Sequence, residues 1–431
     1  MRRVFLLCLS LYLLGSPLSA QHLPCGYDLA VEQMEQKYPG YKKSIRNTFL
    51  DAKNNINLLR RSSMVYNIPV VVHVVWNEPV EMLADSLITS QIDILNEDFR
   101  RMNTDADNIR DIFSDIVGDP MIEFTLAEVI YVETNTLFEL DLLSGTLPDN
   151  VKFGDSGGSD AWDPQSYLNI WICKIQPISF GGQSLGQILG YSYPPNDLAN
   201  WPPEAAIPDP DVDGVVLDYR VVGRDNPHTI DPGTGVEVQY VKGRTAVHEV
   251  GHYLGLRHIW GDGDPLADSC DFDDGIEDTP NSAIQSTGCD ALQNTCISPV
   301  DTLPDMIENF MDYSHENCTN SFTIGQIELM RSVLENQRCQ LVQLVDCSVS
   351  TSQLVEVKLD IYPNPSTGLF YISSPSLELM DFDLDIIDIS GKTSLVHLQG
   401  QTLDLSRITP GTYILRGKNE QHIFQQKLIK L

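Results

Sequence analysis

Residues 68–76 are apolar almost without a break, Ile-Pro-Val-Val-Val-His-Val-Val-Trp. That pattern belongs to a strand covered on both faces rather than to one with a wet side. Leu87, Ile88, Ile92, Leu95 and Phe99 then recur at helical spacing behind Asp85, which stands where an N-cap is needed. Residues 122–132 and 167–175 read as further strands, and a short helical pattern covers residues 27–38. From about residue 355 the texture changes to short alternating apolar runs broken by Gly and Pro, which predicts a small β-sandwich. The expected fold class is α+β, with a mixed sheet in the larger part and a separate all-β unit at residues 355–431.

One stretch between these patterns carries chemistry: His248-Glu249-Val250-Gly251-His252-Tyr253-Leu254-Gly255-Leu256-Arg257-His258. On a helix, positions four apart share a face, so His248 and His252 can offer two imidazole nitrogens to one metal while Glu249 points at a metal-bound water. Gly255 has no Cβ and can leave the helix through a left-handed turn, which swings His258 round to the same ion. Three neutral His ligands leave the fourth position of a zinc ion open to water, the arrangement of a catalytic rather than a structural site. Zinc-assisted hydrolysis of peptide bonds, with Glu249 as general base, is the function this predicts.

The long form of the motif, with the glycine and the third histidine, is the metzincin signature when a methionine turn follows, and Asn309-Phe310-Met311-Asp312-Tyr313 supplies a candidate. Residues 68–75, 90–100, 167–173, 243–245, 258–262 and 322–326 occur in the order seen in one branch of that group. Over roughly residues 65–335 the chain resembles the pappalysin and cytophagalysin family of metzincins. The resemblance implies a twisted mixed sheet with backing and active-site helices and an irregular C-terminal subdomain. It implies Met311 as an apolar floor beneath the imidazoles and Tyr313 as a donor to the oxyanion. It implies crossed disulfides, Cys270 to Cys296 and Cys289 to Cys318, and a substrate-binding sheet edge for which residues 167–173 are the candidate. Members that favour basic residues after the scissile bond carry Asp directly after the cysteine matching Cys318. Thr319 stands there in this chain, with Glu316 or Asp312 as conceivable substitutes.

Composition adds the compartment. Arg2 and Arg3, an apolar run over residues 4–14 and Ser19-Ala20 before Gln21 have the layout of a cleavable signal peptide, too short to span a bilayer. With 28 basic against 60 acidic residues, the net charge of −32 argues against nucleic acid or an anionic membrane as partner. Nine cysteines are present, one of them Cys8 inside the signal. Cys339 and Cys347 are close enough in sequence to pair, and Cys173, ending an apolar strand, reads as a buried thiol. Cys25 sits alone just after the signal, and in family members with a short pro-segment a cysteine here can take the open zinc position as thiolate and keep a zymogen silent. Arg60-Arg61-Ser62 is a plausible cleavage point.

Residues 262–278 carry eight carboxylates and no basic residue. Family members hold calcium in this region, which makes Asp271, Asp273, Asp274, Glu277 and Asp278 candidate calcium ligands, although the spacing is not that of an EF-hand. The tail opens on Tyr362-Pro363-Asn364-Pro365-Ser366-Thr367-Gly368 and ends on Lys427-Leu428-Ile429-Lys430-Leu431. It resembles the C-terminal sorting domain of the type IX secretion system, which implies that machinery as partner and export through a Gram-negative periplasm. The expected organisation is signal peptide 1–20, pro-segment 21–61, catalytic domain 62–347 and sorting domain 355–431. The other reading is a surface adhesion protein that retains a metallopeptidase fold.

Overall fold

The computed structural model describes residues 25–55, 64–141, 146–180, 183–195, 210–228, 242–261, 270, 273–286, 288–296, 303–343, 355–356, 359–373, 383–388, 393–396, 398–399, 401–418 and 422–431. The expected signal peptide, Arg60-Arg61-Ser62, Asp271 and Cys347 lie outside them. The chain divides into two units, Met1–Cys347 and Ser348–Leu431.

In chain order the first unit holds helices α1 (Tyr27–Lys37) and α2 (Tyr41–Asn55), strand β1 (Tyr66–Trp76), α3 (Asp85–Phe99), β2 (Ile122–Glu133), β3 (Leu168–Cys173), β4 (Ile178–Phe180), β5 (Gln183–Gly186), β6 (Gly190–Ser192), β7 (Val215–Asp218), α4 (Arg244–Tyr253) and α5 (Ile324–Glu335). The main sheet runs β2-β1-β3-β7-β6. Its first four strands are parallel, and β6 lies antiparallel to β7 at one edge. The continuous apolar run of β1 follows from its place: a central parallel strand is buried on both faces.

One face of the sheet packs with α3, α4 and α5 into the larger core, where Val70, Val72, Val74, Ile88, Leu95, Phe99, Val247 and Met330 meet. The other face forms a second core around Trp171, Tyr191 and Tyr193, closed by Ala30 and Met34 of α1 and by Tyr41. The predicted helix at 27–38 is present, but α2 was not anticipated. It carries Ala52, fully buried, and Phe49 into the larger core, and the Ser332 hydroxyl of α5 donates to the Ala52 carbonyl at 2.7 Å. The N-terminal segment is thus built into both cores.

Two expectations need correction. Residues 167–173 are not a sheet edge, since β3 lies between β1 and β7, and the edges are β2 and the three-residue strand β6. Asp85 is the first residue of α3 and not its cap. Ala84 holds the cap position without a side-chain bond, and the Asp85 carboxylate accepts from the Tyr131 hydroxyl at 2.5 Å, while its charge still suits the positive helix start.

In the second unit, strands β8 to β16 between Val355 and Lys430 form a four-stranded and a five-stranded sheet. Phe370, Ile372, Leu384, Ile386, Leu403, Leu415 and Leu428 share one core between them, the β-sandwich expected from the alternating pattern. The Tyr413 hydroxyl donates to the Thr409 carbonyl four residues earlier, fastening one corner.

The parts of the first unit are tied together at Arg244, the first residue of α4. Its guanidinium bonds Asp98 of α3 at 3.1 Å and Asp105 at 2.6 Å, and donates to the Glu316 and Thr319 carbonyls. Removing one member of a buried ion pair leaves an uncompensated charge and costs about 3–5 kcal/mol. Arg244→Met is therefore expected to lower the unfolding free energy by about that amount in chemical denaturation. A loss under about 1 kcal/mol would show the pair to be surface-like in strength.

Candidate metal centre

Helix α4 starts with a fixed cap. Gly243 adopts φ +75°, and the Glu316 carboxylate accepts from the backbone N–H groups of Lys242 and Thr245. The end of α4 is as strictly defined. Gly255 sits at φ +95°, its N–H bonds the His252 carbonyl at 2.9 Å, and the Leu256 N–H bonds the Gly251 carbonyl at 3.0 Å. These two bonds are the left-handed helix stop in which glycine reverses the chain. As the sequence predicted, the reversal brings His258 back beside His248 and His252.

The three imidazoles converge through Nε2. His252 Nε2 lies 3.1 Å from Nε2 of both His248 and His258. A tetrahedral ion with nitrogen ligands at 2.0–2.1 Å sets neighbouring nitrogens about 3.3 Å apart, so the spacing fits zinc. The opposite ring atoms fix the tautomer. His248 Nδ1 is 2.7 Å from the Phe310 carbonyl and His252 Nδ1 2.9 Å from the Leu256 carbonyl, which assigns the protons to Nδ1 and leaves the Nε2 lone pairs facing inward. Burial holds His248 down to about 4, and burial followed by the neighbouring imidazoles holds His252 and His258 well below the usual histidine range. Neutral rings are what a cation requires. His258 stacks on Trp260, centroids 4.4 Å apart, and His252 on Tyr27 at 4.0 Å.

Cys25 completes the cluster: its Sγ and one nitrogen of each of the three histidines all lie within 4.8 Å of one another, and all four residues are buried. Its backbone neighbour is the sheet edge. The Gly26 N–H donates to the Gly190 carbonyl of β6 at 2.8 Å, and Cys25 pairs with Gly190 in a parallel bridge. Glu249 is buried beside them. The Ser192 hydroxyl lies 3.2 Å from its Oε2, and burial pushes the carboxyl up to about 8. Gly190 has to be glycine, because a Cβ there would stand 2.9 Å from Glu249 Cγ.

Met311 is fully buried beneath the helix, and Tyr313 has its ring centroid 5.0 Å from that of His258, with its hydroxyl 3.5 Å from the Cys25 carbonyl. The turn that carries them is locked from both sides. Asn309 accepts from the Met311 N–H and exchanges amide bonds with Gln326 of α5, while Asp312 accepts from Ser286, Tyr313 and Ser314. Asp312 and Glu316 thus hold the Met turn and the helix start, and neither is free to read a substrate side chain.

A family model described as pregnancy-associated plasma protein-A matches residues 236–335, and one for a secretion system C-terminal sorting domain matches residues 360–431. An extracellular metalloprotease of Arthroderma benhamiae is 39% identical over 125 residues, 29% of this chain and 39% of the relative. One from Aspergillus oryzae is 41% identical over 107 residues, 24% and 30% respectively. The chain therefore spans less than half the length of these curated relatives. Among solved structures, a promirolysin mutant from Tannerella forsythia is 37% identical, with a TM-score of 0.58 over 74% of this chain and 96% of that one. This chain belongs to the pappalysin-like metallopeptidase family. Mature mirolysin from the same organism, in complex with a cleaved peptide, is also 37% identical, with a TM-score of 0.54 over 67% of this chain and 99% of that one.

Within this pappalysin-like unit both expected disulfides are present, Cys270–Cys296 and Cys289–Cys318. Cys339 is disulfide-bonded and Cys173 is a buried free thiol. The acidic loop is a different matter. Asp273 and Asp274 accept from the N–H groups of Gly275 and Ile276, Asp278 accepts from Gly325 at the start of α5, and Glu277 is exposed. Among the described residues these carboxylates make turns and a helix start and form no ligand cluster.

Sequence reasoning passed over Gly251, although it stands inside the motif. A Cβ there would come to 2.4 Å from Met311 Sδ. Overpacking of this kind costs about 1–3 kcal/mol. Gly251→Ala is expected to lose about that much stability in thermal or chemical denaturation, and an unchanged stability would show that Met311 moves aside freely.

Proposed function

We propose that the chain is a secreted zinc endopeptidase made in a latent form, with a signal peptide at 1–20, a pro-segment at 21–61, a catalytic domain at 62–347 and a sorting domain at 355–431 that engages type IX secretion machinery. The observation that carries the reading is the convergence of His248, His252 and His258 with Cys25 beside a buried, otherwise poorly satisfied Glu249. The three Nε2 atoms would hold zinc, which when bound would supply Lewis acidity toward a water molecule and a peptide carbonyl.

Glu249 accepts the proton of the attacking water and returns it to the leaving amine. Its burial suits it to both steps, because a carboxyl raised toward neutrality exchanges protons readily at that pH. Ser192 restrains the carboxylate by donating to it or to the Glu249 carbonyl, at 2.8 Å from the latter. Tyr313, above the histidines, donates to the developing oxyanion. The edge strand β6 offers its main chain to an extended peptide, and main-chain recognition is tolerant of side chains.

The latent state rests on the same geometry. Cys25 takes the position water needs, Gly26 takes a hydrogen bond of the edge, and Tyr27 covers His252. Asp274 Oδ2 and Asp278 Oδ1 are buried without a hydrogen-bond partner among the described residues, and this supports a calcium ion near them.

Glu249→Ala is expected to keep about one zinc per chain while kcat/KM on an unstructured protein falls by about 10² to 10⁴. A chelator is expected to abolish the parent's cleavage. A variant that retains a tenth or more of the parent's rate would assign the base elsewhere, and a processed parent that binds zinc yet cleaves nothing would favour an adhesive role.

A further inference from the structure

We propose that Leu147 and Asp149 form a side-chain subsite of the substrate cleft for a primary carboxamide, the side chain of a glutamine or asparagine in the bound peptide. In the latent chain Gln33 of α1 occupies it. The Leu147 N–H donates to Gln33 Oε1 at 2.7 Å, and Gln33 Nε2 donates to Asp149 Oδ2 at 3.0 Å. One donor and one acceptor therefore face the two ends of a single planar amide. A carboxylate in that place would meet Asp149 with like charge, and an ammonium or guanidinium would turn a donor toward the Leu147 N–H.

The charge of Asp149 is already answered from behind. Its Oδ1 pairs at 3.0 Å with Nζ of Lys152, a fully buried lysine that also donates to the Val212 carbonyl at 2.6 Å. Tyr191 and Tyr193 donate to the same carboxylate, and their rings lie 5.1 and 4.3 Å from the lysine nitrogen. An acceptor neutralised and held in this way suits an uncharged amide better than a cation. The subsite also adjoins the reaction centre. Gly26, bonded to Gly190 beside the histidines, faces Leu147 and Tyr191 so closely that a Cβ on it would lie 3.3 Å from Leu147 Cδ2 and 3.0 Å from Tyr191 Cβ. From Gly26 the helical segment to Gln33 advances about 10 Å, or about three residues of extended peptide.

This inference rests on the peptidase reading and on the binding of substrate where α1 lies in the latent chain. The test varies the substrate, because Asp149→Ala strands Lys152 in the core and endangers the fold. The chain activated by its own processing is given peptides in which each of four positions on either side of the scissile bond carries Gln, Glu, Lys or Ala in turn. At one position two to four residues from the bond, kcat/KM for Gln is expected to exceed that for Ala about fivefold and those for Glu and Lys about tenfold. Equal rates for Gln, Glu and Ala at every position would overturn the subsite and leave the peptidase reading standing, as would a preference for Lys at the position in question. Failure to cleave any peptide would overturn both.

Discussion

His252 stands with its Nε2 3.1 Å from the Nε2 of both His248 and His258, a distance at which two charged rings repel and at which Nε2 lone pairs suit a shared cation. Helix geometry provides one of these two pairs. The other depends on the reversal at Gly255, and the tautomers depend on two carbonyls, Leu256 from that reversal and Phe310 from the Met turn. The Met turn in turn hangs on Gln326 at the start of α5, through Asn309. Arg244 and Glu316 fix the other end of α4 against α3 and the residues that follow the Met turn. Nearly every polar contact around the site leads back to holding three neutral rings at one point.

The N-terminal segment joins this arrangement from outside the catalytic sheet. Cys25, Gly26 and Tyr27 touch the ligands and the sheet edge, α1 closes the second core, and α2 enters the first through Phe49 and Ala52. Lys53 donates to the Gly275 carbonyl at 2.8 Å, and Phe49 lies under the Arg257 guanidinium at 4.2 Å. In the proposed latent form the plug at the metal is therefore one end of a longer packed surface. A cut between α2 and β1 leaves all of these contacts in place, so cleavage and release are separable steps.

How much the sequence disclosed follows from how local each signal is. The two histidines four apart, the glycine stop and the third histidine are read within eleven residues, and the structure gathers them as expected. Long apolar patterns marked β1, α3 and β2 to within two residues. The edge β6 escaped because three residues, Gly190-Tyr191-Ser192, carry no periodicity. The helix α2 escaped because two of its buried positions, Ser44 and Thr48, are polar and its Lys and Asn positions resemble a solvated linker. Gly251 and Gly190 were invisible because what requires them, Met311 and Glu249, approaches only in the folded chain. Glu316 and Asp312 looked available for substrate because their backbone partners lie as many as 74 residues away. Eight carboxylates in one loop suggested calcium by density, and among the described ones Asp273, Asp274 and Asp278 each give one oxygen to a turn or a helix start while Asp274 Oδ2 and Asp278 Oδ1 stay unpartnered.

In the proposed latent form one zinc ion is held by His248, His252, His258 and the thiolate of Cys25. X-ray absorption at the zinc edge of the unprocessed chain tests it most directly. One sulfur at about 2.3 Å with three nitrogens at about 2.0–2.1 Å is expected, and loss of the sulfur shell after processing. A shell of nitrogen and oxygen alone in the unprocessed chain would contradict it.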